Sequence, residues 1–200
     1  MQSTTTAMEK SIAQLQIFTY GILPLKENEW NDFASIWQPL SAKRKTLLTA
    51  TGETEKHLYF ITEGVQRAFY LHNDKDATLV FTYPYSFSGV ADSFLTQLPS
   101  KYYFETLTAS IFLRTTYQQV HELMNQHRNI EKLILKATSF ALSGVLERQI
   151  ELQCFSAEEK FRTLLKRSPH VLQLIPHKYL ASYLGIDATT FSKLLGTVRL

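Results

Sequence analysis

The chain has 200 residues, 44% of them hydrophobic and 20% charged, with a formal net charge of +3. These figures are ordinary for a soluble globular protein of one large domain or two small ones, with enough aromatic residues to fill a core. A single cysteine, Cys154, excludes an intramolecular disulfide and any Cys-rich metal or iron–sulfur site. No basic-then-apolar leader and no apolar run of membrane-spanning length occurs, so a reducing, cytoplasmic setting without a membrane partner is expected.

In chain order, residues 1 to about 10 (MQSTTTAMEK) are polar and predicted to be poorly ordered. Ser11 to Tyr20 reads as a short helix anchored by Ile12, Leu15 and Phe18. Lys26 to Leu40 reads as a clearer one, with Trp30, Phe33, Ala34 and Trp37 at three- and four-residue steps. Lys43, Arg44 and Lys45 then form a basic cluster, read as a solvated turn at a strand edge, with a binding role as the alternative.

Between Thr46 and Thr116 the period changes. HLYFIT, VQRAFYL, TLVFTY, YFETLTA and IFLRTTY are rich in aromatic and β-branched residues and are separated by turn signals. Asn73-Asp74 is a good hairpin connection between the second and third of these. Short strands at this spacing, with no helical pattern between them, predict an antiparallel sandwich or jelly-roll barrel.

From Gln118 the helical period returns. Val120, Leu123 and Met124 mark a short helix, and apolar residues from Ile130 to Ile150 mark a long one that ends near Cys154. Ala137, Ala141 and Gly144 lie along one side and permit close approach of another helix, so a two-fold dimer seam that includes Ile130 and Ile134 is expected. The alternative is packing within one subunit. Cys154 is expected to be a buried, inert thiol. Ser156 and Glu159 form a capping box that opens a helix over Ala157 to Lys166; Ser168-Pro169 breaks it, and Val171 to Leu174 reads as extended.

The last stretch, Ile175 to Arg199, reads as two short helices joined by a tight turn. Pro176 suits a first helical position, Tyr179, Leu180, Tyr183 and Leu184 form an apolar stripe, and Gly185 terminates it. Asp187 is a good N-cap for a second helix with Phe191, Leu194, Leu195 and Val198 inside and Thr189, Thr190, Ser192 and Lys193 outside. That is the pattern of a helix-turn-helix, although any helical hairpin at a domain end shares the alternation. Ser156 to Leu200 carries seven Lys/Arg against three Asp/Glu, which fits a phosphate-facing module.

No Gly-x-Ser-x-Gly, His-Glu-x-x-His or phosphate-cradling glycine loop is present. His57 and His72 are the only histidines in the strand region and read as surface or structural. The pairs Glu53/Glu55 and Asp74/Asp76 read as solvated loop charges. No catalytic residue, metal ligand or cofactor is expected.

The order of parts, with Leu58-Tyr59-Phe60-Ile61-Thr62-Glu63-Gly64 and Ile175 to Leu195 as its most specific pieces, resembles the catabolite-activator-like (Crp/Fnr) family of bacterial transcription regulators. The resemblance spans roughly Lys26 to Leu200 and looks closest to Bacteroidetes Crp/Fnr-like proteins. It implies an α+β chain: residues 1–25 as an extension, a cyclic-nucleotide-binding-like double-stranded β-helix (jelly-roll) over 26–126, a dimerisation helix over 127–155, and a helix-turn-helix domain over 156–200. It also implies double-stranded DNA and a second copy of the chain as partners, with an unidentified small-molecule effector. His177 and Lys178 would lie near the DNA backbone, and Thr189, Thr190, Ser192 and Lys193 would face the bases. Cyclic-AMP-binding members carry a cassette that begins Gly-Glu and ends Arg-Ser. Its places fall on Gly89, Val90, Ser100 and Lys101, so the ribose acceptor and the charged phosphate clamp are absent and a cyclic-AMP response is not expected. The recognition helix departs too: Ala188 and Thr189 stand where many members have Arg-Glu, and Lys193 replaces a later Arg. A full β-wing is not expected after it. The alternative is a ligand- or protein-binding barrel that does not touch DNA.

Overall fold

The computed structural model describes residues 2–73 and 75–198, with side chains from residue 6 onward. The chain begins with two helices, α1 (Gln2–Ile22) and α2 (Glu27–Ser35). The first is longer than its core stripe predicts, and residues 2–10 are helical rather than loose. Met8 and Ile12 continue the stripe toward Leu15, which is fully buried, and pack on the same cluster. The second stops at Ser35, because Pro39 cannot donate in a helix and holds the residue before it extended.

Eight strands follow: β1 (Gln38–Ala42), β2 (Leu47–Thr49), β3 (His57–Glu63), β4 (Gln66–His72), β5 (Lys75–Thr82), β6 (Phe87–Ser88), β7 (Tyr103–Thr106) and β8 (Ser110–Thr116). They pair antiparallel in two four-stranded sheets, ordered β1-β8-β3-β6 and β2-β7-β4-β5. First pairs with last, second with seventh, third with sixth and fourth with fifth. This is one long hairpin wound into a double-sheet jelly roll. The five segments legible by composition are all strands; β1, β2 and β6 are too short or too atypical to announce themselves. A helix that composition does not predict, α3 (Ala91–Thr96), sits between β6 and β7. At the β4–β5 turn His72 faces Lys75 and Asn73 takes a positive φ, while Asp74 lies outside the described residues. Gly64 also has a positive φ, and a Cβ there would collide with the backbone of Ala109 and Ser110. Tyr59, Ile61 and Phe112 of one sheet meet Ala68 and Phe104 of the other to form the inter-sheet core.

The remaining elements are α4 (Tyr117–Gln126), α5 (Arg128–Cys154), α6 (Ala157–Arg167), α7 (Val171–Leu174), α8 (His177–Leu184) and α9 (Ala188–Thr197). The Ser156 capping box forms as its sequence predicts. Three expectations change. Val171–Leu174 is a helical turn rather than extended, because Val171 and Ile175 both insert into the core beneath it. Ile130 and Ile134 are buried within the chain itself, against α1, α2 and α4, so they are not available to the expected dimer seam. Cys154 is exposed, at the end of α5.

The C-terminal helices are not a separate body. Phe81 of β5, with Val65 and Leu107 from the loops of the jelly roll, shares one apolar cluster with Phe161, Leu164, Leu180, Leu184 and Phe191. At its edge Arg67 is only 2% exposed. Its guanidinium forks onto both oxygens of Asp76 at 2.6 and 2.7 Å and onto Glu105 at 2.7 Å. It also lies over the rings of Phe69 and, across the seam, Tyr179, at 4.0 and 3.7 Å. Burial pulls the Arg67 pKa down, but the bonds to Asp76 and Glu105 outweigh it, and the net direction is up. Asp76 is therefore a structural ion-pair partner rather than a solvated loop charge. Beside it the Ser182 hydroxyl of α8 donates to the Asp76 carbonyl at 2.6 Å and accepts from the Thr78 N–H at 2.9 Å. An edge strand thus ends its ladder on a helix side chain.

Replacing Arg67 by Ala leaves two carboxylates without their cation. It should lower stability by roughly 3 kcal/mol in urea unfolding, against near-neutral behaviour for Lys75→Ala on the exposed turn. Equal effects of the two substitutions would refute the role given to this cation.

Candidate functional site

Helix α9 begins at Asp187, whose carboxylate accepts from the Thr190 N–H at 2.8 Å and the Thr190 hydroxyl at 2.7 Å. These bonds hold the Asp187 carboxyl below its usual range. Gly185 supplies the left-handed residue, at φ +64°, that ends α8, and its N–H returns to Ala181 and Ser182. Phe191, 1% exposed, anchors α9 edge-on against Phe161, with ring centroids 5.4 Å apart. With that face fixed, Thr189, Ser192 and Lys193 stand exposed on the opposite side at helical spacing. Thr190 is half-buried and its hydroxyl is committed to the cap, so it differs from the other three. At the start of α8, Pro176 sits at the cap, one residue before the predicted place. His177 and Lys178 are exposed there; the His177 ring packs on Phe191 and the Lys178 ammonium lies 4.7 Å over Tyr179.

The four cassette positions do not form a basic pocket. Gly89 has φ +120°, and a Cβ would press on the His57 carbonyl at 3.2 Å. Val90 is buried at the start of α3. Ser100 is buried, its hydroxyl donated to the Tyr102 carbonyl at 2.7 Å and its N–H to the Glu53 carbonyl at 2.8 Å. Lys101 is exposed. What faces Gly89 and Val90 is Glu55, which is 1% exposed and not the solvated loop charge its polar neighbours predict. Its carboxylate accepts from the Thr49 hydroxyl at 2.6 Å, the His57 N–H at 3.1 Å and the Val90 N–H at 3.3 Å. Burial raises the Glu55 pKa, these bonds lower it, and burial prevails. Burial also lowers the pKa of neighbouring His57, helped by Arg114 and Lys56. The adjoining cavity, about 370 Å³, is lined by Leu48, Thr49 and residues 53–57. Its charged lining is Glu53, Glu55 and Lys56.

Along α5 the chain's own packing ends early. Ala137 is half-buried, and every residue from 138 to 147 is exposed, Ala141 and Gly144 included. Phe140, Leu142, Val145, Leu146 and Ile150 are each 55–62% exposed. Contact resumes at Arg148, which lies 4.1 Å over the Tyr183 ring, donates to the Tyr183 carbonyl and pairs with Glu151 at 2.7 Å. Glu151 also takes Arg167 of α6, so the end of α5 grips α6 and α8 together. Among the described residues no three His, Cys, Asp or Glu side chains group to hold a metal ion, and no helix is long and apolar enough to cross a membrane.

No protein-family model and no curated protein matches the chain. Solved structures do. FixK2 from Bradyrhizobium japonicum aligns with a TM-score of 0.74 at 15% identity, over 80% of this chain and 83% of that one. The catabolite activator protein of Thermus thermophilus aligns at 0.54 and 22% identity, over 90% and 89%. A chain from Eubacterium rectale described as a Crp/Fnr-family transcriptional regulator aligns at 0.68 and 13%, over 86% and 82%. The mixed fold with its antiparallel sheets is thus the Crp/Fnr-like fold, covering most of this chain and of each neighbour.

Because burial raises the Glu55 pKa, its contribution to stability is full below the ordinary 4.5 and declines as pH rises through the raised value. The stability of the wild type relative to Glu55→Gln, measured by urea unfolding between pH 4 and 7, should therefore fall with rising pH. A difference that grows with pH would contradict the direction given.

Proposed function

We propose that the chain is a homodimeric DNA-binding transcription regulator of the Crp/Fnr type, with no catalytic role. The jelly roll is its sensor, α5 its dimer seam and α9 its recognition helix. The observation that carries this is the exposed face of Thr189, Ser192 and Lys193 on a helix locked from behind by Phe191 and the Asp187 cap. Threonine and serine hydroxyls bond base edges or phosphates, a threonine methyl meets thymine, and Lys193 reaches a guanine edge without the two-pronged geometry of arginine. His177 and Lys178 lie at the start of α8, where the first helix of such a motif crosses the DNA backbone. The exposed apolar run on α5 supports the seam, now carried by Ala137, Ala141, Gly144, Phe140 and Val145 rather than by Ile130 and Ile134. A two-fold pair places two α9 helices on successive major grooves of a near-palindrome.

The sensor departs from cyclic-nucleotide recognition. With Glu55 on the Val90 N–H, Val90 in the ribose acceptor's place and Ser100 in the arginine's, an anionic ligand lacks its two-pronged clamp. The cavity favours a neutral or cationic effector.

The purified protein, dimeric on sizing chromatography, should select a near-palindromic sequence from a random DNA pool and bind it less tightly as salt rises. Lys193→Ala should cost about tenfold or more in affinity and relax preference at one base position. A monomer that selects no sequence would refute the proposal. Calorimetry with cyclic AMP and cyclic GMP should show no heat of binding; micromolar binding of either would refute the account of the pocket.

A further inference from the structure

An open groove of about 740 Å³ runs between the jelly roll and the C-terminal helices. It shares no lining residue with the cavity beside Glu55. One wall is Arg44 with residues 107–109 of the β7–β8 loop, and the other is residues 172–177, from α7 to the start of α8. Both walls are held by bonds that leave the lining groups alone. The Leu107 N–H donates to the Val65 carbonyl at 2.8 Å, and the Val65 N–H donates to the Thr108 hydroxyl at 2.9 Å. Opposite, Val171 and Ile175 are 1% and 2% exposed and plug the C-terminal core. With those two fixed, Leu172 is left half-buried and Leu174 45% exposed.

The composition of the groove says what it suits. Its apolar surface is aliphatic, from Leu107, Leu172, Leu174 and Ile175, and among the described residues no Phe, Tyr or Trp lines it. No Asp or Glu lines it either. Among the described residues no side-chain hydrogen bond or ion pair engages Arg44, Gln173 or His177. A preformed, largely apolar recess with a few uncommitted polar groups is the usual makeup of a small-molecule site. An unpaired guanidinium takes a carboxylate by both oxygens, and no acidic neighbour repels the anion. Aliphatic walls without a ring to stack on suit an alkyl chain rather than an aromatic one.

We infer that this groove binds a small alkyl carboxylate, whose headgroup meets Arg44 and whose chain lies on Leu107, Leu172 and Leu174. One wall belongs to the jelly roll and the other leads into α8, so the bound molecule bridges the two. The site stands whether or not α9 reads DNA.

Calorimetry on the full chain with decanoate, kept below the concentration at which it forms micelles, should show a single site. Decanol, which has the same chain without the charge, and acetate, which has the charge without the chain, should each bind more weakly by about tenfold or more. Arg44→Gln should weaken decanoate by about tenfold and leave decanol unchanged, whereas Leu174→Asn should weaken both. The K43Q/K45Q variant removes two exposed cations of the same turn that do not line the groove, and should keep decanoate affinity within about twofold. All these side chains are exposed, so urea unfolding of each variant should match wild type. Failure of wild type to bind decanoate, several molecules bound per chain, or affinity that survives Arg44→Gln overturns the inference. An equal loss in K43Q/K45Q traces the effect to general charge and overturns it too, as does acetate binding as tightly as decanoate. Selection of DNA by the same preparation decides the regulator reading separately.

Discussion

One buried cation decides how the two halves of this protein meet. Arg67 sits on β4 with its charge balanced by Asp76 and Glu105 and its flat faces against Phe69 and Tyr179. Such a group adds little net stability over a well-packed hydrophobic one, because taking it from water costs several kcal/mol. What it adds is selectivity. A seam of apolar side chains tolerates sliding, whereas a guanidinium with both carboxylates and a ring in place accepts one register of α8 on β5. Ser182, donating to Asp76 and accepting from Thr78, fixes the same register a second time.

From that register the candidate interface follows. Tyr179 and Ser182 set α8, Gly185 turns the chain, Asp187 restarts it, and Phe191 orients α9 so that its short polar groups face out. Arg148 and Glu151 hold the same unit from the α5 side. The outward face of α9 is therefore tied both to the jelly roll and to the helix that carries the exposed apolar run. In the jelly roll, the buried Glu55 accepts the Val90 N–H at the start of α3 and so ties β6 to the loop before β3.

What was legible in the sequence was local. The Ser156 capping box, the Gly185 stop and the Asp187 cap act through residues three or four positions apart, and all three form as written. The strands Phe60 and Phe112 belong to were plain from their aromatic and β-branched content. Long-range features were not legible. Glu55 lies in a polar run, and its burial depends on Val90 and Ser93, more than thirty residues away. Nothing in VQRAFYL marks Arg67 as buried, because Tyr179 covers it from the other end of the chain. Trp37 continued the helical spacing of α2, yet Pro39 diverted the backbone into β1. Ile130 and Ile134 shared a periodicity with the exposed part of α5, and only the packing of α1 and α4 separates the two. Periodicity marks which residues are apolar, not which surface comes to cover them.

The shared cluster around Phe81 and Phe161 has a thermodynamic consequence. A reading head on a free linker changes orientation at almost no cost, so a weak signal moves it. Here reorientation of α9 means withdrawing Phe81, Leu180 and Tyr183 from one another, and returning buried apolar surface to water costs about 25 cal/mol for each Å². Reversing a hundredfold bias between two such arrangements takes a difference in ligand affinity of about 5.5 kcal/mol. A ligand that reorients α9 would therefore have to act as a wedge or a glue at the junction itself, with its affinity split between two packings of one core. Occupancy that leaves the junction unaltered leaves α9 where it is.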